Sequence, residues 1–221
     1  MADRPLIDWA WIASHLDDLW ALTMEHIALT AIAVTVGFAI SFALAMLVVR
    51  WRGAYGPITA VAGIMYTIPS LALFAALVPI TGLTATSALI ALVSYTILIL
   101  VRNIVTGIDG VPADARDAAD GMGFTHRGRL WRVDLPLASP VIVAGLRIAT
   151  VTTIGLVTVS ALIGQGGLGR LINEGLRRSF PTMTITGAVL SVVLAVVADL
   201  AFVLALRAMT PWTRARSGGT A

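Results

Sequence analysis

DGVPADARDAADGMGFTHRGRLWRVDLP, residues 109–136, is the stretch whose reading organises the chain. It is polar and patterned, and it lies between two long apolar runs. Pro112 suits the first position of a helix, and Asp114 and Asp117 complement the positive end of its dipole. Arg116 stands four residues before Asp120, the spacing of a helical ion pair, and Gly123 is placed to end the helix. These features predict a short helix over about 112–122. Ala115, Ala118, Ala119 and Met122 share one of its faces, where small side chains let another surface approach the backbone. A second amphipathic turn, carrying Leu130, Trp131 and Val133, is expected to stop at Leu135 and Pro136. Something must cover such faces, either the chain's own inner surface or a second protein.

Outward from this stretch the chain is apolar. Of its 221 residues 58% are hydrophobic and 12% are charged, and the mean hydropathy is +0.91. A soluble domain carries charge on about a quarter of its residues. All fifteen basic residues are Arg, and Cys is absent. Without Lys there is no Walker-A phosphate loop and no Schiff base, and without Cys there is no thiol catalysis, disulfide or Cys zinc site. Any ATP that drives this protein is therefore bound by another chain. The pI of about 10.2 comes from Arg scattered in ones and twos between apolar runs, a pattern of placement against a bilayer rather than of nucleic-acid binding.

A helix needs about 20 mostly apolar residues to cross a membrane. Ile27–Val49 is one such segment. Gly53–Val101 is too long for one crossing, and Pro79, Thr81 and Gly82 divide it into spans near 58–78 and 84–107. Ser139–Ile163 and Thr184–Arg207 complete five, with Arg147 and Asp199 as their internal charges. If the N-terminus lies outside, the inner side holds Arg50, Arg52, Arg102, Arg116, Arg127, Arg129, Arg132, Arg207, Arg214 and Arg216. The outer side then holds Arg4, Arg170, Arg177 and Arg178. The Arg excess places the C-terminus and the 109–137 loop in the cytoplasm.

Met1–Glu25 lacks the basic start and apolar core of a secretory signal. Trp9, Ile12, Leu16, Leu19 and Trp20 recur at helical spacing, with Asp8, His15, Asp18 and Glu25 largely elsewhere. Residues 1–25 are thus read as an outer-surface amphipathic segment, or else as an aromatic anchor for the first span. Residues 26–212 form the transmembrane domain and 213–221 a cytoplasmic tail, disordered at Ser217–Ala221.

Asp117, Ala118 and Ala119, then Gly123 after three more residues, then Val133, Asp134, Leu135 and Pro136 after nine more, resemble the EAA loop of ABC importer permeases. That loop reads Glu-Ala-Ala, three residues, Gly, nine residues, Ile, one residue, Leu-Pro. Asp117 and Val133 depart from it, keeping charge and apolar character. The runs RDAADGMGFTHRGRLWRVDLPLASPVIVAGLRIAT, TIPSLALFAAL and ALIGQGGLGRLINEGL resemble the osmoprotectant branch, which imports glycine betaine, choline and carnitine. The resemblance implies an all-α membrane protein of five transmembrane helices with a cytoplasmic coupling-helix loop, the type I importer permease fold. It implies that Asp117, Ala118, Ala119, Gly123, Leu135 and Pro136 couple to a separate ABC ATPase, which holds ATP and Mg, this chain binding no cofactor itself. Further implied partners are an extracytoplasmic substrate-binding protein and a second permease, an identical copy or a paralogue, in a bacterial plasma membrane. Methionine-type and other small-solute permeases share a similar glycine-rich outer loop and remain the alternative.

Gly164, Gly166 and Gly169 spell GxGxxG, but a dinucleotide site needs a strand before it, and here a membrane span precedes. The glycines instead permit a tight turn into an amphipathic stretch at Leu168–Leu176. Family loops of this kind lie beneath the docked binding protein, which makes Gln165, Arg170, Asn173 and Glu174 contact candidates; a plain structural turn is the other reading. Arg147 and Asp199 each lie eight residues from the inner end of their spans, about 12 Å at 1.5 Å per residue. They are expected to pair as a clamp or to serve a substrate site. Pro69 is expected to kink the second span, with Thr67 and Ser70 satisfying freed groups. Tyr66, Phe74 and Tyr95 offer aromatic faces to a passing quaternary ammonium, or pack at an interface; Tyr66, Pro69, Ser70 and Tyr95 are the path candidates.

Two other function classes fit the sequence less well. A secondary transporter or channel would show inverted repeats or ionisable groups at the midplane. An intramembrane enzyme would need a catalytic set, whereas His15, His26 and His126 lie outside or at the edges of spans.

Overall fold

The structure, a computed structural model, describes residues 6–209. The tail, Arg4, Arg214 and Arg216 fall outside the described residues. All regular elements among those described are helical. Four helices are long and apolar enough to cross a membrane, and a bent pair makes five if counted as one span.

The chain begins with α1, Trp9–Ser14, capped by the Asp8 side chain on the Trp11 N–H, and breaks at His15. Helix α2 then runs from Leu16 to Arg50 without interruption. The boundary expected near residue 25 therefore falls inside one helix. The expected apolar stripe also divides. Trp11, Ile12 and Leu19 pack with Phe180, Leu171 and Met183, whereas Trp9, Leu16 and Trp20 stay outward.

The second span differs most from expectation. Instead of one kinked helix there are two, α3 at Tyr55–Thr67 and α4 at Ser70–Thr81, and the Arg52–Thr67 segment meets α4 at 95°. Pro69 donates no backbone hydrogen bond and biases Ile68 to extended geometry, here ψ 127°. Gly82 at φ 75° ends α4, and Thr84 caps the next helix by accepting from the Ser87 N–H.

Helix α5, Ala85–Asp109, is the centre of the bundle, packed by α2 on one side, α8 (Leu135–Ser160) on another and by α3 and α4. Small residues bring these helices together. A Cβ at Gly145 of α8 would come 2.5 Å from the Asn103 Cβ on α5, and one at Gly37 would run into Thr96. The core has two layers. Ala45, Val48, Leu100, Ile104, Ile108 and Ile142 fill one; Leu29, Ala33, Phe74, Leu92, Tyr95 and Val157 fill the other.

After α5 the polar loop folds as α6, Ala113–Gly121, and α7, His126–Arg129. A widened π-type turn, Leu130–Asp134, leads directly into α8, Leu135–Ser160. Leu135 and Pro136 thus do not stop the amphipathic turn; they stand in the first turn of a continuous helix. Pro136 cannot donate to Arg132, and the wider turn accommodates its ring. Helix α9, Leu168–Arg177, packs against α2, α8 and α10, and α10, Pro181–Met209, packs mainly on α8 and α9.

Candidate functional site

The segment 109–136 is built on charge. Arg116 of α6 donates through Nε to Asp134 at 3.1 Å and through Nη2 to the Ile108 carbonyl at the end of α5. Arg129 of α7 meets Asp120 at 2.5 Å, and its Nε lies 3.6 Å from Asp134. The expected Arg116–Asp120 pair therefore does not form. Each partner is drawn to a residue that the fold returns to it from beyond Gly123. Asp134 is buried, with its residue 3% exposed, so α6 is tied at once to α5 and to the root of α8.

This tether orients α6. Ala119 is fully buried against the bundle, Ala115 is half-buried, and Asp117, Ala118 and Met122 face outward. The face read as one from the sequence is thus split between the bundle and the exterior. Gly123 has φ 81° and ends the segment as expected. Leu135 is half-buried and Pro136 exposed at the start of α8. Trp131 remains 59% exposed beside Phe42, and Met122 is 70% exposed. A small protruding helix with apolar rims, fixed at its base by buried charge, can transmit a push to α5 and α8 as a rigid piece.

The structure brings Arg147 and Asp199 together between α8 and α10. Arg147 Nη2 donates to Asp199 Oδ2 at 2.8 Å, and Nε donates to Oδ1. This side-on geometry is the strong form of the pair.

At the break between α3 and α4, the Tyr95 hydroxyl donates to the carbonyl of Ile68, the extended residue between the two helices. Thr67 bonds instead to the Ile64 carbonyl within its own helix. Tyr66 stacks edge-on to Tyr95 at 5.9 Å and is 40% exposed. Ser70 is half-buried and Pro69 exposed. Phe74 is fully buried in the core and offers no face to a path.

Residues 36–213 match the family described as "Binding-protein-dependent transport system inner membrane component". The chain belongs to this family. It is 39% identical over 189 residues to the choline transport system permease protein OpuBB of Bacillus subtilis (strain 168), covering 86% of this chain and 87% of that protein. It is 38% identical over 186 residues to the osmoprotectant import permease protein OsmW of Salmonella typhimurium (strain LT2), with 82% and 86% covered. The fold matches an inward-facing structure of the MetNI methionine ABC transporter with TM-score 0.78 at 22% identity, covering 89% of this chain and 98% of that one. As a member of this family with several apolar spans, the chain is a multi-pass membrane protein, with the type I importer permease fold.

In this transport-family chain the glycine-rich loop is docked rather than free. Gly166 and Gly167 have φ 138° and 45°, and a Cβ on Gly167 would stand 2.5 Å from the Leu22 carbonyl. Glu25 of α2 accepts from the Gly167 N–H at 3.3 Å and pairs with Arg170. Of the four contact candidates, Arg170 is thus held by Glu25 and Glu174 by Arg178. Asn173 and Gln165 are half-buried, and the Gln165 N–H donates to the Ser160 carbonyl at 3.2 Å. An open cleft of about 490 Å³ lies beside them, lined by Trp11, His15 and Asp18 on one side and Arg170, Glu174 and Arg178 on the other.

Sequence reasoning missed Asp134, Arg129, Glu25 and the hydroxyl role of Tyr95. Asp134 did carry a signal, a lone carboxylate between Val133 and Leu135 where a buried helix face was expected. Glu25 carried none, because its partners lie more than a hundred residues away.

Proposed function

We propose that this chain is the membrane-spanning subunit of an ATP-driven importer that moves a quaternary ammonium osmoprotectant, of the glycine betaine, choline or carnitine type, into a bacterial cell. The observation that carries the reading is the 39% identity to a choline permease along 86% of the chain. The likeness to a methionine transporter stands at 22% identity and speaks for the fold alone.

In this reading ATP and Mg are bound by a separate ABC ATPase that grips the outward side of α6, at Asp117, Ala118 and Met122. An extracytoplasmic binding protein delivers substrate to the face that carries α9. The N-terminus lies outside and the C-terminus in the cytoplasm, in accord with the Arg excess on the α6 side. A second permease copy or a paralogue completes the path, supported by the apolar face that α10 leaves open at Val189, Val193, Val196 and Leu200. Nucleotide-driven closure of the ATPases moves each α6, and the Asp134 tether carries that motion into α5 and α8 as a rigid-body shift.

The test is uptake of labelled choline and glycine betaine into proteoliposomes. Transport that requires ATPase, binding protein and internal ATP together is the expected result. Uptake by the permease alone contradicts the reading, as does an assembled complex whose ATP hydrolysis no quaternary amine stimulates.

A further inference from the structure

Arg147 uses Nε and Nη2 on Asp199, leaving its Nη1 donors without a partner among the described residues. The pair is not sealed, for its side chains remain 39% and 33% exposed. It opens onto a recess of about 290 Å³ whose other walls are Ala144, Ile148, Val151 and Thr152 of α8. An open ion pair with unused donors does not border hydrocarbon: charges within a bilayer face a bundle interior or a water-filled cavity. The recess therefore belongs to a polar space.

We infer that this recess is a transit site for a compact zwitterion, an inference that rests on the proposed transport of quaternary ammonium solutes. The substrate carboxylate accepts hydrogen bonds from Arg147 Nη1, without breaking the existing pair. A quaternary ammonium has no N–H to donate, so it is held by the charge of Asp199 while its methyl groups lie against Ile148 and Val151. The pair is neutral overall and presents both signs side by side. A solute that carries both signs is matched at each end, whereas a bare cation meets Asp199 alone and leaves the Arg147 Nη1 donors unpaired. Thr152 adds a hydroxyl to the wall, and the volume suits a small solute rather than a peptide.

The absence of Cys from the chain makes Thr152→Cys the only thiol of the permease. The experiment follows labelling of that thiol by a water-soluble reagent in the assembled importer in lipid nanodiscs, with glycine betaine, choline or sucrose added. Glycine betaine is expected to slow labelling about threefold at twice its dissociation constant, the mass-action factor. Choline, which lacks the carboxylate, is expected to slow it less, and adding Arg147→Gln is expected to abolish the glycine betaine effect. A thiol that never reacts means that lipid or a second copy covers the recess, and overturns the inference. Labelling indifferent to glycine betaine, or equal protection by choline that survives Arg147→Gln, overturns it as well. Uptake by the Thr152→Cys importer and by the unsubstituted one is measured in parallel. Uptake without protection sinks the site alone, whereas failure of the unsubstituted importer to move any quaternary amine sinks the transport reading beneath it.

Discussion

Asp134 is the residue through which the 109–136 segment is joined to the bundle, and it is buried with two guanidiniums beside it. Removing one partner of a buried charge cluster leaves the others uncompensated and costs about 3–5 kcal/mol when all are buried. Arg116 and Arg129 keep side-chain exposures of 27% and 18%, so for Asp134→Ala we expect a smaller loss, about 2–3 kcal/mol. Thermal unfolding of the purified complex checks this. Asp134→Glu should restore most of the loss, and a melting temperature unchanged by Asp134→Ala would contradict the tether. Arg147 and Asp199 make a second test at this scale. Arg147→Ala, Asp199→Ala and the double change should be non-additive in stability, as directly paired charges are. Additive losses would mean that the two do not act as a pair. This pairing was legible in the sequence because both charges interrupt apolar spans at equal depth. The Asp134 cluster was not, because local spacing favoured an Arg116–Asp120 pair that the returning chain replaces with longer-range partners.

The elements divide in the same way. Apolar length sufficed for α2, α5, α8 and α10, and the dipole and capping pattern sufficed for α6, whereas Pro79 and Thr81, expected in a turn, lie inside α4, which Gly82 ends. The broken α3–α4 pair was read as a kinked span, since a proline announces a lost hydrogen bond but not what replaces it. Here the chain turns outright at Ile68, and the Tyr95 hydroxyl, 27 residues further on, bonds to the Ile68 carbonyl at the break. Tyr95→Phe should leave that carbonyl unpaired and lower stability by about 1–2 kcal/mol, read as a fall in melting temperature, whereas no change would show that the break holds itself. The docked glycine-rich loop is likewise set by distant contacts. Gly167→Ala demands a left-handed φ from a residue with a Cβ and drives that atom toward the Leu22 carbonyl, at an expected cost of about 1–3 kcal/mol. Limited proteolysis should then cut near Gly164–Leu168 faster than in the unsubstituted protein; equal rates would contradict the docking.

At the scale of the whole molecule, α5 sits at the centre with the charged α6 base at one end, while the Glu25 clasp ties α2 to the glycine-rich loop and α9. The core was foreseeable from hydropathy. Which parts of α6 face inward was not, because Ala115, Ala118, Ala119 and Met122 look alike on a helical wheel until Arg116 fixes its rotation. That rotation leaves Ala118 outward, where an ATPase is proposed to hold it. With no native Cys in the chain, Ala118→Cys supplies a single thiol for a short crosslinker in intact cells. The account predicts capture of an ATP-hydrolysing subunit of the same importer, with labelling blocked from the cell exterior. Ready labelling of Ala118→Cys by an impermeant external reagent, or crosslinking that never captures an ATPase in cells that import the solute, would contradict it.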